Sequence, residues 1–200
     1  MSQDQKDSFE EFLSIHTRSI YIVGEINEQL VLNFHKALSF LKGLDSKKPV
    51  TVYINSPGGS YYDAIALYDL IKACSFKTSG IVLGCAMSAA SIVLQAFKAR
   101  LMGANGSLMI HDGAFSMEAI HSKEAVVAAK EEERNLYIMY SILASRSNLT
   151  LIDIKKMCEF STYMNAEEAL ENGFIDKVLS PALLSRAMKV HHKDKQKNEL

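Results

Sequence analysis

Two polar residues at the ends of apolar runs could carry out acyl-transfer chemistry in this sequence. Ser88 lies among small residues in the segment 84–90, where a predicted strand gives way to a predicted helix, and His111 ends the apolar run 108–110. Acyl transfer to water requires a nucleophile, a base and donors for the developing oxyanion. The sequence therefore suggests Ser88 as nucleophile and His111 as base. Taken singly, Ser88 could equally be a helix N-cap, and His111 a hydrogen-bonded core histidine.

A pair of glycines could supply backbone donors beside them. Residues 58–59 are Gly-Gly and follow Pro57. Glycine reaches positive φ without strain and lets a ligand approach the backbone N–H groups closely. A tight turn before a helix would use the same residues, so the pair alone is a weak signal. All three segments follow predicted strands, and that edge of an open α/β sheet is where ligands bind.

Short apolar runs alternate with longer amphipathic runs, a pattern that predicts βαβ units, a mainly parallel sheet and the α/β fold class. The predicted strands are residues 19–23, 50–54, 79–83 and 108–110. The predicted helices are residues 27–42, 64–73, 88–97 and 117–147, with a short one from the N-cap Asn165 to Gly173. We also predict Gly43 as the C-terminal cap of the first helix and a sharp turn at residues 55–60. Helix 117–147 is long enough to leave its domain, and a partner subunit is the simplest surface for it.

Composition restricts the classes of function. The chain has 200 residues, 48% hydrophobic and 22% charged, which fits one globular domain. A formal net charge of -1 argues against nucleic-acid binding. The three cysteines have no metal-type spacing and suggest reduced thiols in a cytoplasmic protein. The uncharged stretch 78–97 approaches the length of a membrane span, but its glycines favour a buried strand and helix, so we expect no membrane association.

Taken together, the motifs resemble one peptidase family. They are Asn-Ser-Pro-Gly-Gly at residues 55–59, Gly-x-Ala-x-Ser at 84–88 and Met-Ile-His at 109–111, with closing matches at 164–169 and 173–176. In this order they resemble the proteolytic subunits of the Clp peptidase, the ClpP family. The resemblance implies a ClpP/crotonase-like βαβ superhelix with a protruding handle helix at about 117–147. It divides the chain into an N-terminal segment 1–18, a peptidase domain 19–180 and a flexible tail 181–200.

The same resemblance implies an activity and partners. Ser88 would attack a peptide carbonyl, His111 would take and return the proton, and the N–H groups of Gly59 and Ala89 would hold the oxyanion. The chain would then be a serine endopeptidase that cuts unfolded polypeptides to short peptides inside a chamber. Two heptameric rings, homomeric or mixed with a paralogous subunit, would form that chamber. An AAA+ unfoldase would feed it and use the ATP, so this subunit would need neither a metal nor a cofactor.

The sequence departs from the family pattern at the third member of the triad. The aspartate position of the family falls on Met157, which cannot orient an imidazole. Glu159 is the nearest replacement, and we rank it above Asp153; Asp112 would face away from a site-facing His111. Met157 leaves a second reading open, a ClpR-like structural subunit of low or absent activity in a mixed ring. A crotonase-like acyl-CoA enzyme is a third reading, because that superfamily shares the sheet and an oxyanion hole.

Overall fold

A mostly parallel sheet is the centre of the molecule, as the alternation of strands and helices predicted. The computed structural model describes residues 13–15, 17–113 and 122–188, and within these ranges eight strands form one sheet. The strands are β1 (Leu13–Ser14), β2 (Ser19–Ile26), β3 (Val50–Gly59), β4 (Thr78–Met87), β5 (Ala99–Gly103), β6 (Ser107–Ile110), β7 (Thr162–Met164) and β8 (Lys177–Leu179). The helices are α1 (Glu28–Leu44), α2 (Tyr61–Lys72), α3 (Ala89–Leu94), α4 (Ser122–Arg146), α5 (Leu151–Cys158), α6 (Ala166–Glu171) and α7 (Pro181–Met188).

The strands follow the order β1-β2-β3-β4-β5-β8, and β6 and β7 branch from this path. Pairing is parallel from β2 through β8, while β1 runs antiparallel to β2. Consecutive parallel strands require crossovers, and the helices that make them cover the apolar residues of the sheet. The α/β class with a mainly parallel sheet is therefore confirmed.

Strand β4 splits the sheet in two. Its first part, residues 79–82, pairs with β5, whereas residues 85–87 pair with β6, which in turn pairs antiparallel with β7. Gly84 lies between the two parts with φ +98, and a Cβ built there would lie 2.5 Å from Oδ1 of Asn55. That oxygen accepts a hydrogen bond from the Cys85 N–H at 3.2 Å. Only glycine fits here, so the second part of β4 can turn away and carry β6 with it.

The first helix ends later than predicted, and a buried arginine binds carbonyl groups near its end and just after it. Asn27 is the N-cap, but α1 continues past Gly43 to Leu44 and is capped by Asp45. The Arg18 guanidinium donates hydrogen bonds to the carbonyl oxygens around this end, those of Leu41, Asp45, Lys48 and Pro49. No left-handed residue is needed to finish the helix, so the prediction of Gly43 as its cap is wrong.

The turn predicted at residues 55–60 is instead an extension of strand β3. β3 continues to Gly59, and β2 continues past the predicted stop at Gly24 to Ile26. The register shifts around Gly24, whose φ is +79, and Ile26 then lies opposite Gly59. The glycines therefore keep the strand paired through a bulge rather than ending it, which brings the backbone at Gly59 to the edge of the sheet.

Helix α4 agrees with the long helix predicted at 117–147, of which residues 117–121 lie outside the described part of the chain. Residues 123–134 contain no buried side chain. In the second half of α4 the buried side chains are Asn135, Met139, Tyr140 and Leu143. The first half therefore extends beyond the core of this subunit.

The described part of the C-terminal end contains one more helix. Pro181–Met188, within the predicted tail 181–200, forms α7, and the predicted division of the chain stays a prediction. Residues 189–200 and 1–12 lie outside the described residues. Stretch 78–97 consists of β4 and the short α3, as the glycines indicated. None of the helices in the described ranges is long and apolar enough to cross a membrane.

An ion pair between a buried arginine and a partly exposed aspartate ties the last strand to the sheet. Arg100, on β5, is 5% exposed. Its Nη2 pairs with Oδ1 of Asp176, and its backbone N–H donates to Oδ2 of Asp176 at 2.7 Å. Its Nη1 donates to Gln95 and to the Arg146 carbonyl at the end of α4. Burial alone would raise the pKa of Asp176, but the bonds and charge of Arg100 outweigh burial and hold that pKa below its ordinary value.

Candidate active site

Ser88 occupies the junction between β4 and α3 in a strained conformation. Its backbone has φ 51 and ψ -125, a region that residues with a Cβ rarely adopt. The Ser88 N–H donates to the Met109 carbonyl of β6 at 2.9 Å, which holds the residue in place. Its hydroxyl makes no capping hydrogen bond to α3. The Ser88 hydroxyl therefore does not cap the helix, and it bonds to another partner instead.

That partner is His111. The residue follows β6 directly, and its Nε2 lies 2.8 Å from Oγ of Ser88. Pairing of Met87 with Met109 aligns the ends of β4 and β6, so the two side chains leave neighbouring strands at the same edge. For the Ser88 O–H to donate to Nε2, the imidazole must carry its proton on Nδ1. The geometry is that of a nucleophile and its general base.

The glycine pair lies against the serine. A Cβ built on Gly58 would come within 2.8 Å of the Ser88 Cβ and 3.0 Å of the Ala89 nitrogen. Gly58 has φ +104, and its N–H donates to Oγ of the buried Ser56 at 3.1 Å. Gly59 and Ala89, the two predicted oxyanion donors, both line the cavity that contains Ser88 and His111. Absence of a side chain at residue 58 is what allows the two backbone segments to approach.

The cavity beside Ser88 has a volume of about 470 Å³ and lies between the sheet edge and α4. Its apolar wall comes from Ile92, Leu136 and Met139. Polar groups of α4 and of the segment after His111 line the rest: Asp112, Glu131, Glu132 and Asn135. No local pattern in the sequence predicts that α4 contributes to this wall, because the contact joins residues far apart in the chain.

Two tyrosines bind α4 to the segment that follows the glycines. The Tyr61 hydroxyl donates to the Asn135 carbonyl at 3.1 Å, and the Asn135 amide donates to the Tyr62 hydroxyl at 3.1 Å. The Tyr62 hydroxyl also bonds Oε1 of Glu131 at 3.2 Å. Burial, with a contribution from the nearby Tyr62 and glutamates, raises the pKa of Tyr61 to about 12. Tyr61 is thus a neutral donor at neutral pH, and it fixes the wall of the cavity relative to Gly59.

The third triad member stays a prediction. Met157 lies in α5, partly buried against the core. Glu159 follows as the exposed C-cap of α5, and Asp153 forms a capping box with Thr150. Among the described residues, the His111 ring makes one hydrogen bond, to Ser88. Neither Glu159 nor Asp153 forms a hydrogen bond with that ring.

Asp112 is directed toward α4. Its Oδ1 accepts a hydrogen bond from the Tyr140 hydroxyl at 2.6 Å, and its N–H donates to the Cys158 carbonyl at 2.9 Å. Burial and the bond to Asp112 raise the pKa of Tyr140 well above its ordinary value. Burial and the charge of Asp112 raise the pKa of Cys158 to about 12, so that thiol stays protonated. Asp112 therefore joins the end of β6 to α4 and α5 rather than bonding the imidazole.

A strained serine at a strand–helix junction, a histidine within hydrogen-bond distance and a glycine-lined cavity define the serine hydrolase class of site. The sequence profile of the Clp protease family matches residues 2–182. The ATP-dependent Clp protease proteolytic subunit of Ligilactobacillus salivarius is 32% identical over 164 residues, covering 81% of this chain and 83% of the relative. The ATP-dependent Clp protease proteolytic subunit 2 of Treponema denticola is 30% identical over 166 residues, covering 82% of each chain. The chain belongs to the Clp protease family.

Proposed function

We propose that this chain is the catalytic subunit of a serine endopeptidase, with Ser88 as nucleophile and His111 as general base. The distance of 2.8 Å between Oγ of Ser88 and Nε2 of His111 is the observation that carries this proposal. Membership of a peptidase family and the positive φ of Ser88 support it. Strain of this kind persists where the surrounding structure fixes a functional residue.

The reaction follows from the positions of these groups. Oγ of Ser88 attacks the peptide carbonyl carbon while its proton passes to Nε2 of His111. The carbonyl oxygen becomes an oxyanion, and the N–H groups of Gly59 and Ala89 are the proposed donors to it. The C–N bond then breaks as His111 returns the proton to the leaving amine, which leaves an acyl group on Ser88. Water, activated by the same imidazole, attacks the acyl carbon and releases the second peptide.

Assembly is part of the proposal. The two relatives are named proteolytic subunits of an ATP-dependent protease, which suggests a partner that uses the ATP. We propose a closed chamber of two heptameric rings, homomeric or mixed with a paralogous subunit, that receives unfolded polypeptides from an AAA+ unfoldase. The first half of α4 supports it, because Val126 and Val127 are 57% and 68% exposed there. Apolar residues in that position can pack on a second subunit.

A fluorophosphonate probe tests the catalytic assignment. We expect the purified protein to be labelled and Ser88→Ala to abolish labelling, because the probe reacts only with an activated serine. His111→Ala should slow labelling by about 10³-fold or more, since the base is lost. Labelling that persists at the wild-type rate in Ser88→Ala would show that the probe reacts elsewhere and would refute the assignment.

The same probe tests the third triad member. If Glu159 completes the triad in the assembled particle, Glu159→Gln slows labelling far more than Asp153→Asn does. Asp153→Asn is the matched control, because Asp153 caps the other end of the same helix. Equal and negligible effects of both changes would mean that neither residue supports His111.

A structural subunit is the second candidate function, and Met157 is the observation that favours it. A structural subunit would complete a mixed ring and contribute little hydrolysis. Such a subunit needs no acid beside His111. Light scattering separates the two proposals when it is run with the probe. An assembled particle that resists labelling supports the structural subunit, whereas a labelled particle supports the peptidase. A monomer of 22.2 kDa under all conditions would remove the chamber from both proposals.

A further inference from the structure

The cavity beside Ser88 combines an apolar wall with an acidic rim. Ile92 and Met139 are 2% and 7% exposed, so the wall is formed by core side chains. Glu131 and Glu132 follow each other on α4 and also line the cavity, with Glu132 one helical turn before Leu136. A side chain that enters beside the nucleophile would therefore meet both hydrocarbon and carboxylate oxygens.

The two glutamates differ in what they already bind. Glu131 forms an ion pair with Arg134, whose Nε donates to Oε2 at 3.0 Å, and accepts a bond from the Tyr62 hydroxyl. The Glu132 side chain makes no hydrogen bond or ion pair with any of the residues that the structure describes. It is only partly exposed, so its charge is less screened than that of a fully solvated carboxylate. Glu132 is thus available to a positively charged group inside the cavity.

Among the described residues that line the cavity, no lysine or arginine competes for that carboxylate. Its described lining includes the carboxylates of Asp112, Glu131 and Glu132. The Arg134 guanidinium, which lies on the same helix, is paired with Glu131. Among the described lining residues, therefore, no lysine or arginine offsets the three carboxylates.

We propose that Glu132 makes this cavity a subsite for a long basic side chain, lysine or arginine, on the residue whose carbonyl Ser88 attacks. The inference rests on the proposed peptidase function and adds its substrate class. The methylene stem of such a side chain matches the wall of Ile92, Leu136 and Met139, while its charged end reaches Glu132. An acidic side chain of similar length would be repelled by the same rim.

Three peptides that differ at one residue measure this preference. Each carries a fluorogenic group after a lysine, a norleucine or a glutamate, with the preceding residues unchanged. Norleucine has the stem of lysine without its charge, so the ratio of kcat/KM for lysine over norleucine isolates the contribution of the charge. We expect a ratio of about three- to tenfold, smaller at high salt, and the glutamate peptide should be the poorest of the three.

Two substitutions on α4 locate the preference. Glu132→Gln should bring the lysine-to-norleucine ratio close to one, because it removes the carboxylate and keeps the shape. Glu133→Gln is the matched control. It changes the net charge by the same amount, but Glu133 lies on a different surface of α4, beside Lys130 and Tyr137. A ratio that is equal in the wild type and Glu132→Gln, or that falls as far in Glu133→Gln, would overturn the proposal.

A binding measurement separates this inference from the peptidase proposal. The same three peptides, as amides with a fluorescent label, are titrated into Ser88→Ala, which cannot hydrolyse them. Tighter binding of the lysine peptide, lost when Glu132→Gln is added, supports the subsite even if no peptide is cleaved by the wild type. Equal binding of the lysine and norleucine peptides overturns the subsite, whatever the wild type cleaves.

Discussion

Replacing Met157 with aspartate should increase the reactivity of Ser88. The Met157 carbonyl accepts a bond from the Thr162 hydroxyl at 2.7 Å, and the next carbonyl, of Cys158, accepts from the Asp112 N–H at 2.9 Å. These bonds hold the end of α5 beside the residue that follows His111. We therefore expect a carboxylate at position 157 to come within reach of the imidazole, whose Nδ1–H needs an acceptor.

The size of the gain follows from two limits. Loss of the acid in a serine triad costs on the order of 10⁴-fold in kcat, which sets the ceiling for its return. A misplacement of 1 Å can cost about 10²-fold, and an introduced side chain is not held by bonds of its own. We therefore expect Met157→Asp to accelerate labelling by a fluorophosphonate about 10²-fold. Loss of the partly buried methionine should lower the free energy of unfolding by about 1–3 kcal/mol.

The assay is the second-order rate constant of labelling, measured on assembled protein together with the thermal unfolding midpoint. Met157→Asn is the matched control, because it has the shape of aspartate without the charge that stabilises imidazolium. It should gain less than tenfold and lose similar stability. If Met157→Asp and Met157→Asn are labelled at the same rate, the reactivity of His111 is not limited by a missing acid at this position, and the reasoning is refuted.

Three further predictions concern the backbone and the ion pair between Arg100 and Asp176. Gly58→Ala should lower the free energy of unfolding by about 3 kcal/mol and slow labelling about 10²-fold, because its Cβ would clash with Ser88. Gly24→Ala is the control: Gly24 also has positive φ but no atom within 4 Å of the added Cβ, so this change should cost about 1 kcal/mol and leave labelling unchanged. Chemical denaturation measures the stability of both variants, and the probe measures their labelling. Ser88→Gly should be about 1 kcal/mol more stable than Ser88→Ala, seen as a midpoint 2–4 °C higher, because only glycine relieves the strain; equal midpoints would contradict it. Asp176→Asn should destabilise by about 2 kcal/mol at pH 7, allowing for the solvent exposure of Asp176, because Arg100 stays buried without its counter-charge. The pKa of Asp176 is depressed in the folded state. The stabilisation by its charge is therefore fully present above the pKa of an unfolded aspartate, about 3.9, and is lost as pH falls through the folded pKa. The free energies of unfolding of the wild type and Asp176→Asn should therefore converge in acid.

The parts of the fold that depend on local pattern could be predicted from the sequence. The strand before Ser88 and the helix start at Asn165 follow from apolar runs and capping residues within a few positions. Asn165 accepts from the Glu168 N–H at 2.9 Å, as its predicted N-cap role requires. The motif residues Ser88 and His111 could be paired as candidates because each follows a predicted strand, and the ends of parallel strands share one edge.

The parts that depend on distant partners could not be predicted. β5 contains Arg100, which breaks the apolar pattern of a buried strand and is stable there only because Asp176 lies 76 positions later. The same holds for the cavity wall, since Tyr61 meets Asn135 across 74 positions. Gly43 was misassigned because the residue that satisfies the helix end, Arg18, precedes that helix. Each of these features is visible only after the chain has folded.

The branching of β4 has a consequence for how the proposed peptidase is controlled. Because β6 pairs directly with the last residues of β4, the Ser88 hydroxyl and the His111 imidazole come into contact within one chain. In the proposed peptidase, the nucleophile and the base are thus in contact within a single chain. A control on cleavage by that peptidase would therefore act on access to the site, on oxyanion binding or on imidazole orientation, rather than on bringing these two groups together.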